Sequence, residues 1–445
     1  MSDAPLKIKD PCEYWQVKPL QAVTTLIKDG THGSHERVSS GVPLLSAKNI
    51  TAHGTISLDE SDSRISERDY RFIHSSYELK LNDILLTVVG TLGRSALVSG
   101  VDKFTIQRSV AVIRSDINNL LPSFLRYFIC DDYFQNQLSL RSNATAQAGV
   151  YLGELASIDV QFPSIPEQRK IAKILSTVDN LIEKTQALID KYHSIKQGMM
   201  HDLFTRGVDK NGQLRPSYEE AAHQYKESEL GWIPKEWEVA TFNNLLGSGD
   251  LLGIQDGNHG EIHPKSSDFV DHGVPFVMAN NLSDGKIDFD SCHFITHQQY
   301  SSLRIGFSKP GDVLLTHKGT IGLAAVVYDD TPEVMLTPQV TYYRVSDVSR
   351  IQREYLYYYF LTSTFQSILA SLSEQTTRKY LGITEQKKLS IVVPSASEQR
   401  AVIEKLSSLF SVVGRERKYL LKLKELKAGL MQDLLTGRVR VKVDA

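Results

Sequence analysis

Apolar residues on helical spacing mark two long stretches of this chain. From Pro163 the sequence reads PSIPEQRKIAKILSTVDNLIEKTQALIDKYHSIKQGMMHDLFTRG, where Ile171, Ile174, Val178, Leu181, Leu188, Tyr192, Ile195 and Met199 fall on alternating steps of three and four, interrupted only at Thr185. That is the seam of a coiled coil. From Pro394 a second row runs through Val402, Leu409, Val412, Tyr419, Leu423, Leu426 and Leu430, broken at Lys405 and Glu416. Pro163, Pro166 and Pro394 suit the entry of a helix and not its interior, with Ser164 and Ser397 available as caps. Glu167-Gln168-Arg169 recurs as Glu398-Gln399-Arg400, an offset of 398 − 167 = 231, and Asp202-Leu203 recurs as Asp433-Leu434 at the same offset. The two helices are therefore copies without a gap. At ~1.5 Å per residue each would run roughly 55 Å, too long to stand alone in water. An antiparallel pair would bring Thr185 and Glu416 together near the crossing, where polar residues fix register. The alternative is that each helix packs separately on its own domain.

The stretches before each helix repeat too, with short alternating or continuous apolar runs that predict strands. IKDGTHGS from Ile27 is answered by IQDGNHGE from Ile254, and GVPLLSAKNI from Gly41 by GVPFVMANNL from Gly273. KLNDILLTVVGTLGRSALV from Lys80 is answered by KPGDVLLTHKGTIGLAAVV from Lys309, and TIQRSVAVIRSD from Thr105 by TPQVTYYRVSD from Thr337. Both units then turn helical, with Phe134-Gln135 mirrored by Phe365-Gln366. The pattern predicts an α+β protein of two similar mixed domains, each followed by a long helix. The boundaries read 11–163 for the first domain, 164–205 for its helix, 206–231 for a polar, mostly surface linker, 232–394 for the second domain, 395–436 for its helix and 437–445 for a tail.

Composition narrows the class. With 445 residues, 41% apolar and 23% charged, the chain can bury several cores and is ordinary for a globular protein. Cys12, Cys130 and Cys292 stand far apart, so neither a disulfide framework nor a structural zinc site is indicated, and a cytoplasmic location is expected. No run suggests a signal peptide or a membrane span. The net charge of −2 argues mildly against nucleic acid, without excluding local basic faces or a partner that supplies phosphate contacts.

Catalytic motifs are missing from the sequence. It contains no phosphate-cradling G-x-x-x-x-G-K-[ST], no dinucleotide G-x-G-x-x-G opening a helix and no G-x-S-x-G elbow. His259-Gly260-Glu261-Ile262-His263 superficially suggests a metalloprotease, but Gly260 and Pro264 argue against the helix that motif needs, so no metal site is expected. The shared Asp-Gly-x-His-Gly loop has two open readings. It is a structural turn capped by Asp29 or Asp256, or a binding loop presenting Thr31, His32, Asn258 and His259 to a polar ligand. Other candidates for DNA contact are Lys48, Asn49, Asn280 and Asn281 at the tips after the GVP strands, and Thr91, Arg94, Lys318 and Thr320 at the glycine turns. Gln107, Arg108 and Gln339 lie at the following strand, and Arg141, Asn143, Gln147, Thr377, Arg378 and Lys379 in polar loops.

Taken together, the doubled P-x-x-EQR helix entry, D-L-[FL]-T-x-x-V ending, D-G-x-H loop, GVP strand and G-T-[IL]-G turn resemble the specificity subunit of type I restriction–modification systems over essentially the whole chain. The resemblance implies two target-recognition domains, each reading one half of a split, asymmetric site in double-stranded DNA. The helices would pair as an antiparallel spacer and dock two methyltransferase subunits, with the seam residues Ile171, Ile174, Val178, Leu181, Thr185, Leu188, Tyr192, Ile195, Val402, Leu409, Val412, Glu416, Tyr419, Leu423 and Leu426 at the pairing face. It also implies a non-catalytic chain without a cofactor. Methylation by S-adenosylmethionine and ATP- and Mg-dependent translocation and cleavage would fall to partner methyltransferase and restriction subunits. Arg94 opposite Leu323, and Gln107-Arg108 opposite Pro338-Gln339, imply that the halves read different sequences. The competing expectations are a coiled-coil scaffold that reads no DNA and a metal-dependent nuclease using the His32 and His259 loops.

Overall fold

The computed structural model describes residues 14–100, 103–142, 148–260, 262–374 and 380–443. They form two compact units, one reaching to Gln186 and resuming at Tyr419, the other running from Ala187 to Lys418. Each unit thus holds the leading half of one long helix and the trailing half of the other, and the division falls inside the helices rather than at the linker.

Within the first unit a four-stranded antiparallel sheet has the order Thr24–Asp29, Val110–Ser115, Ile84–Thr87, Ser95–Leu97. Its central strands are apolar on both faces because each face is covered. Ile84, Leu86, Ala111 and Ile113 pack on helices Pro122–Ile129 and Asp132–Leu140, through residues such as Phe124, Phe128 and Phe134. Leu85, Val110 and Val112 face a small second sheet through Leu45 and Ile106. That sheet pairs Val42–Leu45 in parallel with Thr105–Ile106 and antiparallel with Arg64–Ile65. Its far side packs on Tyr70 and Ile73 of helix Glu67–Ile73.

The second unit repeats these layers. Its main sheet runs Leu251–Asp256, Val340–Val345, Asp312–Thr316, Ala324–Val326, with a small sheet centred on Val274–Val277. A bidentate pair between a half-buried arginine and a buried aspartate fixes the same corner in both: Arg114 Nε and Nη2 lie 2.7 Å from Asp83, and Arg344 Nε and Nη2 lie 2.8 Å from Asp312. This accounts for the aspartate that opens each strand.

The long helices span Ile165–Thr205 and Ala396–Leu434. In the first unit Ile171 and Leu175 share a core with Leu434, and in the second Met200, Leu203 and Phe204 share one with Val402 and Leu406. The start of each helix meets the end of the other, which is antiparallel pairing. The buried row differs from the sequence-derived one at every second position. Leu175 and Ile189 are buried while Leu181, Leu188 and Ile195 are exposed, and Ile174 is half-buried; Leu406, Val413 and Leu420 are buried while Tyr419 and Leu426 are exposed and Val412 is half-buried. Where apolar residues occupy both i+3 and i+4, as at Ile174-Leu175 or Leu188-Ile189, spacing alone does not say which faces the core. Ile171, Val178, Val402, Leu409 and Leu423 are buried, Tyr192 is half-buried, and Thr185 is buried in the row rather than interrupting it. Glu416 is half-buried.

The Glu-Gln of each helix entry is a lock. Gln168 is fully buried, accepting from Leu121 N and donating to Asn119 O and Pro163 O; Gln399 does the same with Gln352 N, Arg350 O and Pro394 O. Glu398 accepts from Trp237 Nε1 at 3.1 Å, Val208 N at 2.8 Å and the Arg215 guanidinium, whereas Glu167 takes Arg440 at 3.0 Å. The segment from 206 to 231 is therefore more than a surface linker. It buries Val208 and Arg215, and its helix Tyr218–Ala221 leads into a hairpin of Tyr225–Ser228 with Gly231–Pro234. Arg215 is polar in sequence but serves the core because Glu398 neutralises it.

Candidate nucleic-acid interface

In each unit the candidate segments leave the same end of the four-stranded sheet. In the first, Asp29 pairs with Ala111, Thr87 with Val110 and Leu86 with Ser95, so the Asp29–Gly33 loop, the Val88–Arg94 turn and the Gln107–Ser109 bend start side by side. Hydrogen bonds join them: Gly30 N to Val110 O at 3.0 Å, Thr31 N to Ile106 O at 2.9 Å, Arg108 N to Thr31 O at 3.1 Å and Val88 N to Ser109 O at 2.9 Å. The tip after the GVP strand joins through Ala47 N donating to Ser109 Oγ at 3.2 Å. Gly30 is required here, because a Cβ would lie 2.1 Å from Ile106 O, and Gly257 has the same reason, with Thr337 O at 2.0 Å. The first glycine of the loop is thus a packing necessity. The residues after it are what the turn displays.

His32 is exposed with Nε2 2.5 Å from Asp29 Oδ2, and Thr31 Oγ1 lies 2.7 Å from His35 Nε2. Gln107 is half-buried and Arg108 exposed, and among the described residues their side chains have no partner. Thr91 is exposed at the glycine turn and Arg94 is partly so. Gln135 Nε2 donates to Gly93 O at 3.0 Å, and Gln366 Nε2 to Gly322 O at 2.8 Å, which pins both turns and explains the repeated Phe-Gln. Both glycines hold positive φ, +81° and +92°.

Several candidates are committed inside the fold. Asn49 is buried, accepting from Ser46 N and donating to Ser57 O and Asp62 Oδ2; Asn281 is buried and bonded likewise to Met278 N, Ser291 O and Ser291 Oγ. An asparagine in a polar tip reads as a displayed group, yet here it closes the turn itself. Asn258 is buried, with Nδ2 donating to Ile262 O, while His259 beside it is exposed. Arg141 is tied to Ser157 Oγ and Gln137 O. Gln339 Oε1 accepts from Ala279 N at 3.0 Å, the role Ser109 has in the first unit. The strand pairings match Thr105 with Met335, so Arg108 corresponds to Pro338 and Ser109 to Gln339, two residues off the alignment that the Thr-x-Gln strings suggest. Lys48 is exposed with Nζ 2.8 Å from Asp62; burial opposes that carboxyl's ionisation, but Lys48 and Asn49 hold it at about 2. Asn280, Lys318 and Thr320 are exposed. Asn143, Gln147, Thr377, Arg378 and Lys379 lie outside the described residues.

One residue of this sheet end went unnoticed in sequence. His317, in the place of Val88, is buried, with Nδ1 3.0 Å from Leu381 O and Nε2 3.4 Å from Asp256 Oδ1. Its signal was an imidazole in a repeat position otherwise apolar. Among the described residues no cluster of three His, Cys, Asp or Glu side chains could hold a metal ion, and no helix is long and apolar enough to cross a membrane.

Each unit thus presents a glycine-shaped, hydrogen-bond-rich edge with cations beside it, carried on a rigid sheet, and the whole module occurs twice. Residues 14–191 and 247–425 each match the family described as type I restriction modification DNA specificity domain. The chain therefore belongs to that family and carries two copies of its domain. It is 27% identical over 374 residues to the type I restriction enzyme MjaVIII specificity subunit of Methanocaldococcus jannaschii, covering 81% of this chain and 80% of the relative. It is 19% identical over 412 residues to the EcoKI specificity subunit of Escherichia coli, covering 90% and 82%. The crystal structure of a type I restriction–modification S subunit from M. genitalium shares the fold, with a TM-score of 0.60 at 15% identity over 94% of this chain and 96% of the other.

Proposed function

We propose that this chain is the DNA-sequence-recognition subunit of a type I restriction–modification complex. Its two domains each read one half of a bipartite site in double-stranded DNA, and its paired helices set the gap between the halves. The observation that carries this is the gathering, in both units, of loops with displayed polar and cationic side chains at one end of the main sheet: exposed His32, Thr91 and Arg108 with half-buried Arg94 in one, exposed His259, Lys318 and Thr320 in the other. Backbone amides and cations hold phosphates, while Arg and Gln read base edges. Different side chains at matched positions support two different half-sites. The reading includes a non-catalytic role in the cytoplasm, with two methyltransferase subunits docked on the helices and using S-adenosylmethionine, and restriction subunits using ATP and Mg.

The test is the assembled complex on duplexes with each half-site varied in turn. Arg108→Ala is expected to relax preference at one half-site by roughly 10- to 100-fold and leave the other unchanged, in line with ~1–3 kcal/mol for a bidentate base contact. Lys318→Ala should weaken binding of all sequences and lower the salt slope by about one. If both variants bind as the parent does, with the same preferences, the scaffold reading replaces this one.

A further inference from the structure

The aspartate that opens the Asp-Gly-x-His-Gly loop takes a different histidine in each unit. Asp29 meets His32 of its own loop, and the position that matches His317 holds the buried Val88. Asp256 instead lies 3.4 Å from the buried Nε2 of His317 and accepts from Thr341 Oγ1 at 2.8 Å. The backbone frame is the same in both: Leu381 N donates to His317 O at 3.1 Å as Val150 N donates to Val88 O at 2.9 Å. Only in the second unit does the side chain add a contact, His317 Nδ1 with Leu381 O at 3.0 Å.

That contact fixes the tautomer. A carbonyl only accepts, so Nδ1 carries the proton and Nε2 of the neutral ring is a lone pair turned toward a carboxylate. Nε2 makes no hydrogen bond of ordinary geometry among the described residues, and the ring is buried with the Asp256 carboxylate and the Pro338 backbone carbonyl beside it. Such an arrangement is incomplete until Nε2 gains a proton. The charged or titratable groups facing the ring are Asp256, Lys318 and Tyr380, whose ring centroid lies 5.3 Å away, with the phenol of Tyr343 beyond Asp256.

We infer that His317 is a positioning residue for the second recognition domain: protonation at Nε2 makes a charge-assisted bond to Asp256 that ties the Asp256–Gly260 loop to the chain at Leu381. This rests on the DNA-reading function proposed above. Burial lowers the affinity of the ring for its proton and Asp256 restores part of it, so the change falls on the acid side of the usual histidine range. The first unit, with Val88 in this place, has no such latch.

Two measurements on the full chain and its complex test this. In the full chain with labelled histidine, the His317 imidazole is expected to titrate in NMR below the usual value near 6.5, and Asp256→Asn to move that titration lower still. A ring that does not titrate, or one indifferent to Asp256→Asn, overturns the inference whatever the DNA result. In the complex, discrimination at the second half-site is expected to sharpen by roughly tenfold as pH falls through that titration, the worth of a charge-assisted hydrogen bond. His317→Gln should remove that sharpening at the second half-site, while the first half-site, whose loop displays its own His32, should respond to pH identically in parent and variant. A His317→Gln complex that keeps the parent's pH profile also overturns it. A complex that prefers no sequence at any pH, with the NMR titration as expected, refutes the DNA reading and leaves the latch standing.

Discussion

The same place in the helix pair is held by opposite chemistry in the two units. In the first, Asp179 accepts from Tyr127 Oη at 2.7 Å and Arg126 Nη1 at 3.2 Å and pairs with Lys427 Nζ at 2.6 Å. In the second, the residue 231 positions on is Phe410 (179 + 231 = 410), and the lysine 231 positions before Lys427 is Lys196 (427 − 231 = 196). Lys196 Nζ lies 3.7 Å from the Phe410 ring centroid, and Tyr358, the counterpart of Tyr127, packs edge-on to that ring at 5.1 Å. An ion-pair network in one unit is a cation–π and aromatic cluster in the other, on the same backbone. What the duplication has kept is register and volume. The charges were free to change so long as each lysine kept something to face.

The entry locks show a second inequality. Glu398 and Arg215 are both buried in the second unit, with Trp237 completing the site, whereas Arg440 in the first is largely exposed around a buried Glu167. The largest expected effect of any single change follows from this. Glu398→Ala leaves the buried Arg215 guanidinium with only the largely exposed Glu236 carboxylate, 3.0 Å from Nη2, takes the acceptor from Trp237 Nε1 and Val208 N, and should cost about 3–5 kcal/mol in denaturant unfolding. A loss below ~1 kcal/mol would break the contrast between the locks. Arg440→Ala, at a solvent-screened pair, should cost about 1 kcal/mol or less in the same measurement.

Between these lies Asp179→Asn, expected to cost about 1–3 kcal/mol because the amide keeps one acceptor oxygen but loses the charge that faces Lys427 and Arg126. Its pH dependence sharpens the comparison. Burial opposes ionisation of Asp179, but Lys427, Tyr127 and Arg126 outweigh it and hold the carboxyl below its usual range. A folded-state value below the unfolded one, near 4, means its contribution is fully present above that value and is lost as pH falls through the folded value. Asp179→Asn should therefore flatten the acid limb of the stability curve.

Lys196 has the opposite sense. Burial, with Arg417 nearby, lowers its affinity for a proton, so the second unit gains stability as pH rises through that lowered value toward ~10.4. Lys196→Met should change stability at neutral pH by less than about 1 kcal/mol, since the aliphatic stem keeps most of its packing, and should remove the alkaline gain. This is the smallest of the effects, read from hydrogen exchange of the helix segment around residue 196 as pH is varied.

Much of the architecture was legible because repetition made weak signals strong. The gapless offset of 231 exposed the helices, and short strands too ambiguous to assign singly became secure when Ile84–Thr87 and Asp312–Thr316 carried the same flanking motifs. Three kinds of information were not legible. Which of two adjacent apolar residues faces a partner, Leu188 or Ile189, depends on helix crossing geometry that spacing does not encode. Whether a polar residue in a turn is displayed or consumed depends on the backbone groups around it, so Asn49 and Asn281 looked like reading residues and are turn closures. His32 and Arg108 are displayed because Gly30 brings their loops together by backbone contact alone, with no side chain spent on it. Arg215 was hidden for a different reason: its partner, Glu398, is 398 − 215 = 183 residues away.

The central claim is that one chain carries two dissimilar reading heads. Selection of random duplexes by the complex assembled with its methyltransferase subunits, at physiological salt, tests it most directly. The account predicts enrichment of two short, different sequence blocks separated by an unspecified gap of constant length. Recovery of one block alone, of two identical blocks, or of unenriched sequence would contradict it.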